Sequence, residues 1–153
     1  YDAIILSLAG LERLGMEHLV TEVLDFQLFL PAACQGSVGV QAMRFSRVKK
    51  IFSLINDYKT QTECLSERRV LKIINANCNS PVSVYAKIDN EQINIRFELY
   101  DHDGQKILRK ELTGNKNNYF ELSNHLGLEV IKAVGQKKIN ELDELKNDFD
   151  YTP

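Results

Sequence analysis

Apolar and polar positions along this chain form a series of short periodic segments, and their pattern breaks at Asn56-Asp57, which marks the best domain boundary. Before that break, Ala3-Ile4-Ile5-Leu6 is a continuous apolar run and predicts a buried, parallel-type strand over about residues 2–8. A turn region from Gly10 to Gly15, a short amphipathic helix near 16–24 and a strand over 26–30, ended by Pro31, are expected next. Val38, Val40 and Ala42 alternate with smaller or polar neighbours and predict a strand within 36–45. Ser46 is placed to cap a helix to about Ile55, with Val48, Ile51, Phe52 and Ile55 on one face. A buried strand opening the chain cannot satisfy its backbone groups without neighbours. The chain is therefore expected to be the C-terminal part of a longer protein.

Beyond the break the periods are cleaner. Residues 59–75 read as a helix, with Leu65, Val70, Leu71, Ile73 and Ile74 apolar and Glu63, Glu67, Arg68 and Arg69 turned to water or partners. Val82, Val84, Ala86 and Ile88 alternate, as do Ile93, Ile95, Phe97 and Leu99. The turn Asp101-His102-Asp103-Gly104 leads to a third strand over about 106–112. Leu122, Leu126, Val130 and Val134 recur at i+4 and predict a helix, which Gly127 weakens by about 1 kcal/mol relative to alanine. A second helix is expected over about 136–146, followed by a frayed acidic tail. Residues 58–153 thus predict an α+β domain, a three-stranded antiparallel sheet with helices on one face.

Composition narrows the function. With 44% hydrophobic and 26% charged residues the chain is an ordinary globular sequence, and a net charge of −2 gives no support for nucleic-acid binding, which usually needs a basic face. No apolar run approaches a membrane span and no signal peptide is visible. Three scattered cysteines, at 34, 64 and 78, suit a reducing cytoplasm better than a disulfide framework. His18, His102 and His125 are isolated, so no metal site is expected.

Cys78 is the most informative residue. It stands among the turn formers Asn75, Asn77, Asn79, Ser80 and Pro81, between a helical and a strand pattern. A loop thiol serves as a nucleophile or covalent anchor where its surroundings favour the thiolate, and otherwise as a small apolar residue.

Glu67, Arg68, Val70, Ile74, Cys78, Pro81, Val82 and Ser83 resemble the cofactor-attachment signature of the porphobilinogen deaminase family. YDAIILSLAGLERLG (Tyr1 to Gly15) and LPAACQGSVGVQAMR (Leu30 to Arg44) resemble two further segments of that family, in the same order. Ala76, Asn77 and Ser80 depart from the signature, and Cys34 replaces a usual glycine.

The resemblance implies a fold and a chemistry. Residues 1–35 would end a second α/β domain of periplasmic-binding-protein type. Residues 36–57 would be a return segment of the first such domain with a linker, and 58–153 a cofactor-attachment domain. It implies a transferase that polymerises porphobilinogen with loss of ammonia into the linear tetrapyrrole of haem biosynthesis. The covalent dipyrromethane cofactor would be held by a thioether to Cys78. Arg13 would grip carboxylate arms of cofactor and substrate, as a planar guanidinium does well. Gln35 and Gly36 would line the cofactor cleft, and Ser7 and Gly10 the substrate side. The catalytic aspartate would lie outside this chain, and the complete protein would be a cytoplasmic monomer. Two alternatives stand beside it: a small α+β binding or regulatory module in which Cys78 is a bystander, and a family member whose attachment loop has lost its role.

Overall fold

The computed structural model describes residues 2–43, 47, 49–77 and 80–144. The chain divides into two compact units, Tyr1–Leu30 and Pro31–Pro153.

The second unit holds the core. Its helix α3 (Tyr58–Ile74) begins at Asp57, whose side chain accepts the Thr60 N–H at 2.7 Å. The helix leads to strands β1 (Val82–Asp89), β2 (Gln92–Tyr100) and β3 (Lys106–Asn115), an antiparallel meander in the order β1-β2-β3. Helices α4 (Tyr119–Val134) and α5 (Gln136–Glu144) complete it. Val84 pairs with Phe97, Ala86 with Ile95 and Ile88 with Ile93, so the apolar positions share one face. Slipping the register by one residue would exchange the two faces, and so the alternation specifies the pairing.

That face packs on Val70 and Ile74 of α3, Leu126 and Val130 of α4, and Ile139 and Leu142 of α5. Each fully buried large apolar side chain contributes roughly 1.5–3 kcal/mol. The two helices α3 and α4 lie against each other as well as against the sheet, and Gly127 faces Ile73 where they meet. A Cβ built there would stand 2.6 Å from Ile73 Cγ2 and 2.7 Å from Ile73 Cβ. The glycine that weakens α4 as an isolated helix is what lets it pack.

The α+β domain matches the expectation from the sequence, with β3 running to Asn115 rather than to about 112. Two assignments on α3 need correction. Leu65 is 44% exposed, and Glu67 is 5% exposed rather than turned to water. Glu67, Val70 and Ile74 follow a 3-4 spacing, so all three lie on the buried stripe.

The strands predicted before residue 57 are not formed among the described residues. Residues 2–7 form no strand, with Ile4, Ile5 and Leu6 exposed, and Ser7 caps a helix, α1 (Leu8–Arg13), where a turn was expected. The predicted helix near 16–24 is a single 3-10 turn at Glu17–Leu19. In place of a strand over 26–30, Asp25 closes a turn: its carboxylate accepts the Gln27 N–H at 2.8 Å and its carbonyl those of Leu28 and Phe29. Residues 36–43 carry no strand, and the helix expected to Ile55 is reduced to α2 (Lys49–Phe52). Its predicted cap, Ser46, lies outside the described residues, as does the tail beyond 144. A parallel-type strand is stable only with hydrogen-bonded neighbours, and no ladder forms for these segments among the described residues.

Candidate functional site

The loop from α3 to β1 is fixed at both ends. Asn75 takes the left-handed conformation (φ 56°, ψ 35°), its N–H donates to the Lys72 carbonyl, and the Ala76 N–H donates to Leu71 at 3.0 Å. These two bonds form a Schellman motif, with Ala76 packed against the core as its apolar contact. Asn75, rather than Ala76 or Asn77, carries the positive φ, which asparagine tolerates. Farther on, the Asn77 N–H donates to Ser80 Oγ at 2.8 Å and the Ser80 N–H to the Asn77 carbonyl at 3.2 Å. The Tyr100 N–H then holds the Pro81 carbonyl at 2.9 Å. Cys78, between the paired Asn77 and Ser80, lies outside the described residues.

A second turn meets the same helix. Its residues Cys34 (φ 61°) and Gly36 (φ 81°) are both left-handed, and it is closed by Gln35 N–H to Ala32 O and Ser37 N–H to Cys34 O, each 3.1 Å. Glu67 holds it to the domain: Oε2 accepts the Cys34 N–H at 2.5 Å while Oε1 accepts the Ala86 N–H of β1 at 2.8 Å. Burial raises the Glu67 carboxyl above its usual range, against the two backbone N–H groups that favour its charge. One turn earlier, Glu63 accepts the Ile88 N–H at 2.7 Å. Gln35, Gly36, Cys34, Cys64, Glu67 and Tyr85 border a cavity of about 330 Å³. The stapling role of Glu67 was missed in the sequence, although its place on the Val70–Ile74 stripe signalled it.

Cys34 and Cys64 are poor candidates for a covalent anchor. Cys34 Sγ points at the Cys64 carbonyl, 3.6 Å away, and burial, then the neighbouring Cys64 and Glu67, push its thiol up to about 12. Cys64 Sγ lies 3.0 Å from Ser37 Oγ.

The remaining candidates are on α1 and α3. Ser7 Oγ accepts the Gly10 N–H at 3.4 Å, so Ser7 and Gly10 form the start of α1, and exposed Arg13 ends it. Arg69 is half-buried and structural: Nε donates to Asn124 Oδ1 at 2.5 Å and its guanidinium lies 4.3 Å from the Phe120 ring centre. Beside it, Arg68, Lys72 and Ala76 border a groove of about 530 Å³. Asp101 is a turn residue, its carboxylate accepting the N–H groups of Asp103 and Gln105. Among the described residues, no three His, Cys, Asp or Glu side chains converge as a metal site needs, and no helix is long and apolar enough to cross a membrane.

Fold and loop together define an α+β domain that anchors a thiol-bearing loop at a helix-to-strand junction, with an N-terminal turn stapled to the same helix. Family comparison identifies that arrangement. Residues 61–133 match the model described as porphobilinogen deaminase, C-terminal domain, and residues 1–49 match porphobilinogen deaminase, dipyromethane cofactor binding domain. The chain is 32% identical over 131 residues to the porphobilinogen deaminase of Clostridium beijerinckii, covering 86% of this chain and 44% of that protein. With the enzyme of Prochlorococcus marinus the identity is 32% over 154 residues, covering 96% and 48%. With that of Campylobacter lari it is 35% over 141 residues, covering 91% and 46%. The chain belongs to the porphobilinogen deaminase family, and it spans about half the length of these relatives.

Proposed function

We propose that the complete protein is a cytoplasmic, monomeric hydroxymethylbilane synthase. It would join porphobilinogen units, with release of ammonia, into the linear tetrapyrrole 1-hydroxymethylbilane. In this reading residues 1–35 end one α/β domain, 36–57 return to another, and 58–153 carry the dipyrromethane on Cys78. The observation that carries the proposal is the doubly anchored loop in which Cys78 falls, within a chain that matches two domain models of one family.

The described residues fit this cofactor in their chemistry. Cys34 Sγ faces the Cys64 carbonyl and Cys64 Sγ faces Ser37 Oγ, away from the signature loop in which Cys78 stands. When bound, the dipyrromethane supplies a primer that persists through successive rounds. Asn75, Asn77, Ser80 and Pro81 hold the ends of its loop, so that the anchor returns to one place after each addition. Arg13 is the carboxylate clamp of this reading, and Ser7 and Gly10 support it through the start of α1. Gln35 and Gly36 present a turn to the cofactor, and Glu67 fixes that turn to the attachment domain. The catalytic aspartate belongs to the part of the protein outside this chain, so residues 1–153 alone are inactive.

Intact mass spectrometry tests the anchor. In the complete protein, Cys78→Ser removes the added mass of two pyrrole units and abolishes tetrapyrrole formation, while Cys34→Ser and Cys64→Ser retain the adduct. Retention of the added mass in Cys78→Ser would sink the assignment.

A further inference from the structure

Two thiols meet beneath the Gln35–Gly36 turn, and the attachment chemistry uses neither. Cys34 Sγ lies 3.6 Å from the Cys64 carbonyl oxygen, beside the backbone of the residue that carries the other thiol. Cys64 Sγ in turn lies 3.0 Å from Ser37 Oγ, a residue of the same turn. Both cysteines are half-buried and free, and both line the same cavity of about 330 Å³, so a small reagent can reach them. The backbone of Cys34 is already held against α3 by Glu67, at 2.5 Å from the Cys34 nitrogen. The pair is therefore brought together by contacts other than its own. The turn lies far from Cys64 in sequence, yet the fold brings Cys34 Sγ within 3.6 Å of the Cys64 backbone, and disulfide formation is limited chiefly by such proximity.

We propose that Cys34 and Cys64 form a reversible dithiol–disulfide pair that locks the Gln35–Gly36 turn onto α3 under oxidising conditions. The co-reactant is a low-molecular-weight disulfide such as oxidised glutathione. Cys64 Sγ, as the thiolate, attacks one sulfur of that disulfide and expels one thiolate. Cys34 then gives up its proton to solvent and attacks Cys64 Sγ of the mixed disulfide, expelling the second. Two protein thiols are oxidised and one small disulfide is reduced to two thiols, so electrons and protons balance. The order follows from the surroundings of Cys34: burial, Cys64 and Glu67 all oppose its thiolate, so it resolves rather than initiates. Closing the bridge ties residues 31–37 covalently to the helix that leads into the attachment loop. Its readout is thiol chemistry and is independent of the catalytic reading above.

The test uses the full chain with Cys78→Ser, which leaves only the two thiols in question, equilibrated in reduced or oxidised glutathione buffers and then alkylated. Under reducing conditions the intact mass gains two alkyl groups. Under oxidising conditions alkylation is lost, the mass falls by two hydrogens, and peptide mapping joins the Cys34 and Cys64 peptides. Adding Cys34→Ser leaves Cys64 either alkylated or as a glutathione adduct. The unsubstituted chain, mapped in parallel, gives the same Cys34–Cys64 linkage. Two alkylated thiols in oxidised buffer, separate glutathione adducts on both cysteines, or linkage to Cys78 in the unsubstituted chain would each overturn the proposal.

Discussion

Replacing Gly127 with alanine sets two measurable effects against each other. Helix propensity alone favours the change, since alanine is better than glycine in a helix interior by about 1 kcal/mol. The tertiary structure opposes it. The new Cβ would lie 2.6 Å from Ile73 Cγ2 and 2.7 Å from Ile73 Cβ, about 1 Å inside the usual 3.5–4.0 Å carbon contact. Ile73 Cβ is bonded directly to the α3 backbone and cannot rotate away, so the two helices must separate. Overpacking of this kind costs about 1–3 kcal/mol, and the rigidity of the contact puts this site toward the upper end. Gly127→Ala is therefore expected to destabilise the chain by about 1–2 kcal/mol net. The sequence has no tryptophan, so far-UV circular dichroism is the suitable probe for a urea titration. With an m-value of about 1–3 kcal/mol/M, the midpoint falls by roughly 1 M. In an Ile73→Ala background the penalty shrinks, because one of the two close atoms is gone, while the retained Cβ keeps it from vanishing. An unchanged or raised midpoint in Gly127→Ala would refute the close approach of the helices.

Two buried carboxylates give opposite pH signatures. Glu98 is 1% exposed on the outer sheet face; burial pushes its carboxyl up, but hydrogen bonds from Lys106 and Tyr100 and the charges of Lys106 and Arg109 outweigh it and hold it below 4.5. A lowered carboxyl adds stability above its unfolded pKa and loses it as pH falls through the folded value, so the gap between wild type and Glu98→Gln should close in acid. At neutral pH that gap should be at least the value of one charged hydrogen bond, about 1.5–3 kcal/mol; urea titrations showing a gap that persists in strong acid would count against the network. Glu67 is raised, so its contribution is full below 4.5 and declines as pH rises through the folded value. Glu67→Gln cannot titrate and resembles the protonated acid, so the stability of wild type relative to this variant should fall as pH rises above 4.5; a difference independent of pH would remove Glu67 from the staple.

Much of the C-terminal domain was legible because its instructions are local. Val84, Ala86 and Ile88 alternate against Ile93, Ile95 and Phe97, and each strand carries its own statement of which face is buried. The turn residues around Asn75 to Pro81 likewise announced a loop, and the family segments around Cys78 pointed to its chemistry. Segments 2–8, 26–30 and 36–45 also carry strand-like patterns, but a strand is realised only by neighbours that accept its hydrogen bonds, and that condition is not local.

What the tertiary structure alone decided are the meetings between distant residues. Gly127 reads in sequence as a weak point of a helix, and only the crossing with Ile73 turns it into a requirement of packing. Glu67 reads as a solvent-facing charge until Cys34 and Ala86 present their N–H groups to it from two separate segments. Cys34 and Cys64, unremarkable apart in the sequence, become a pair because that same carboxylate draws the Gln35–Gly36 turn onto α3. Periodicity along a chain encodes which side of an element is buried, whereas the partner that buries it depends on how the elements pack in three dimensions.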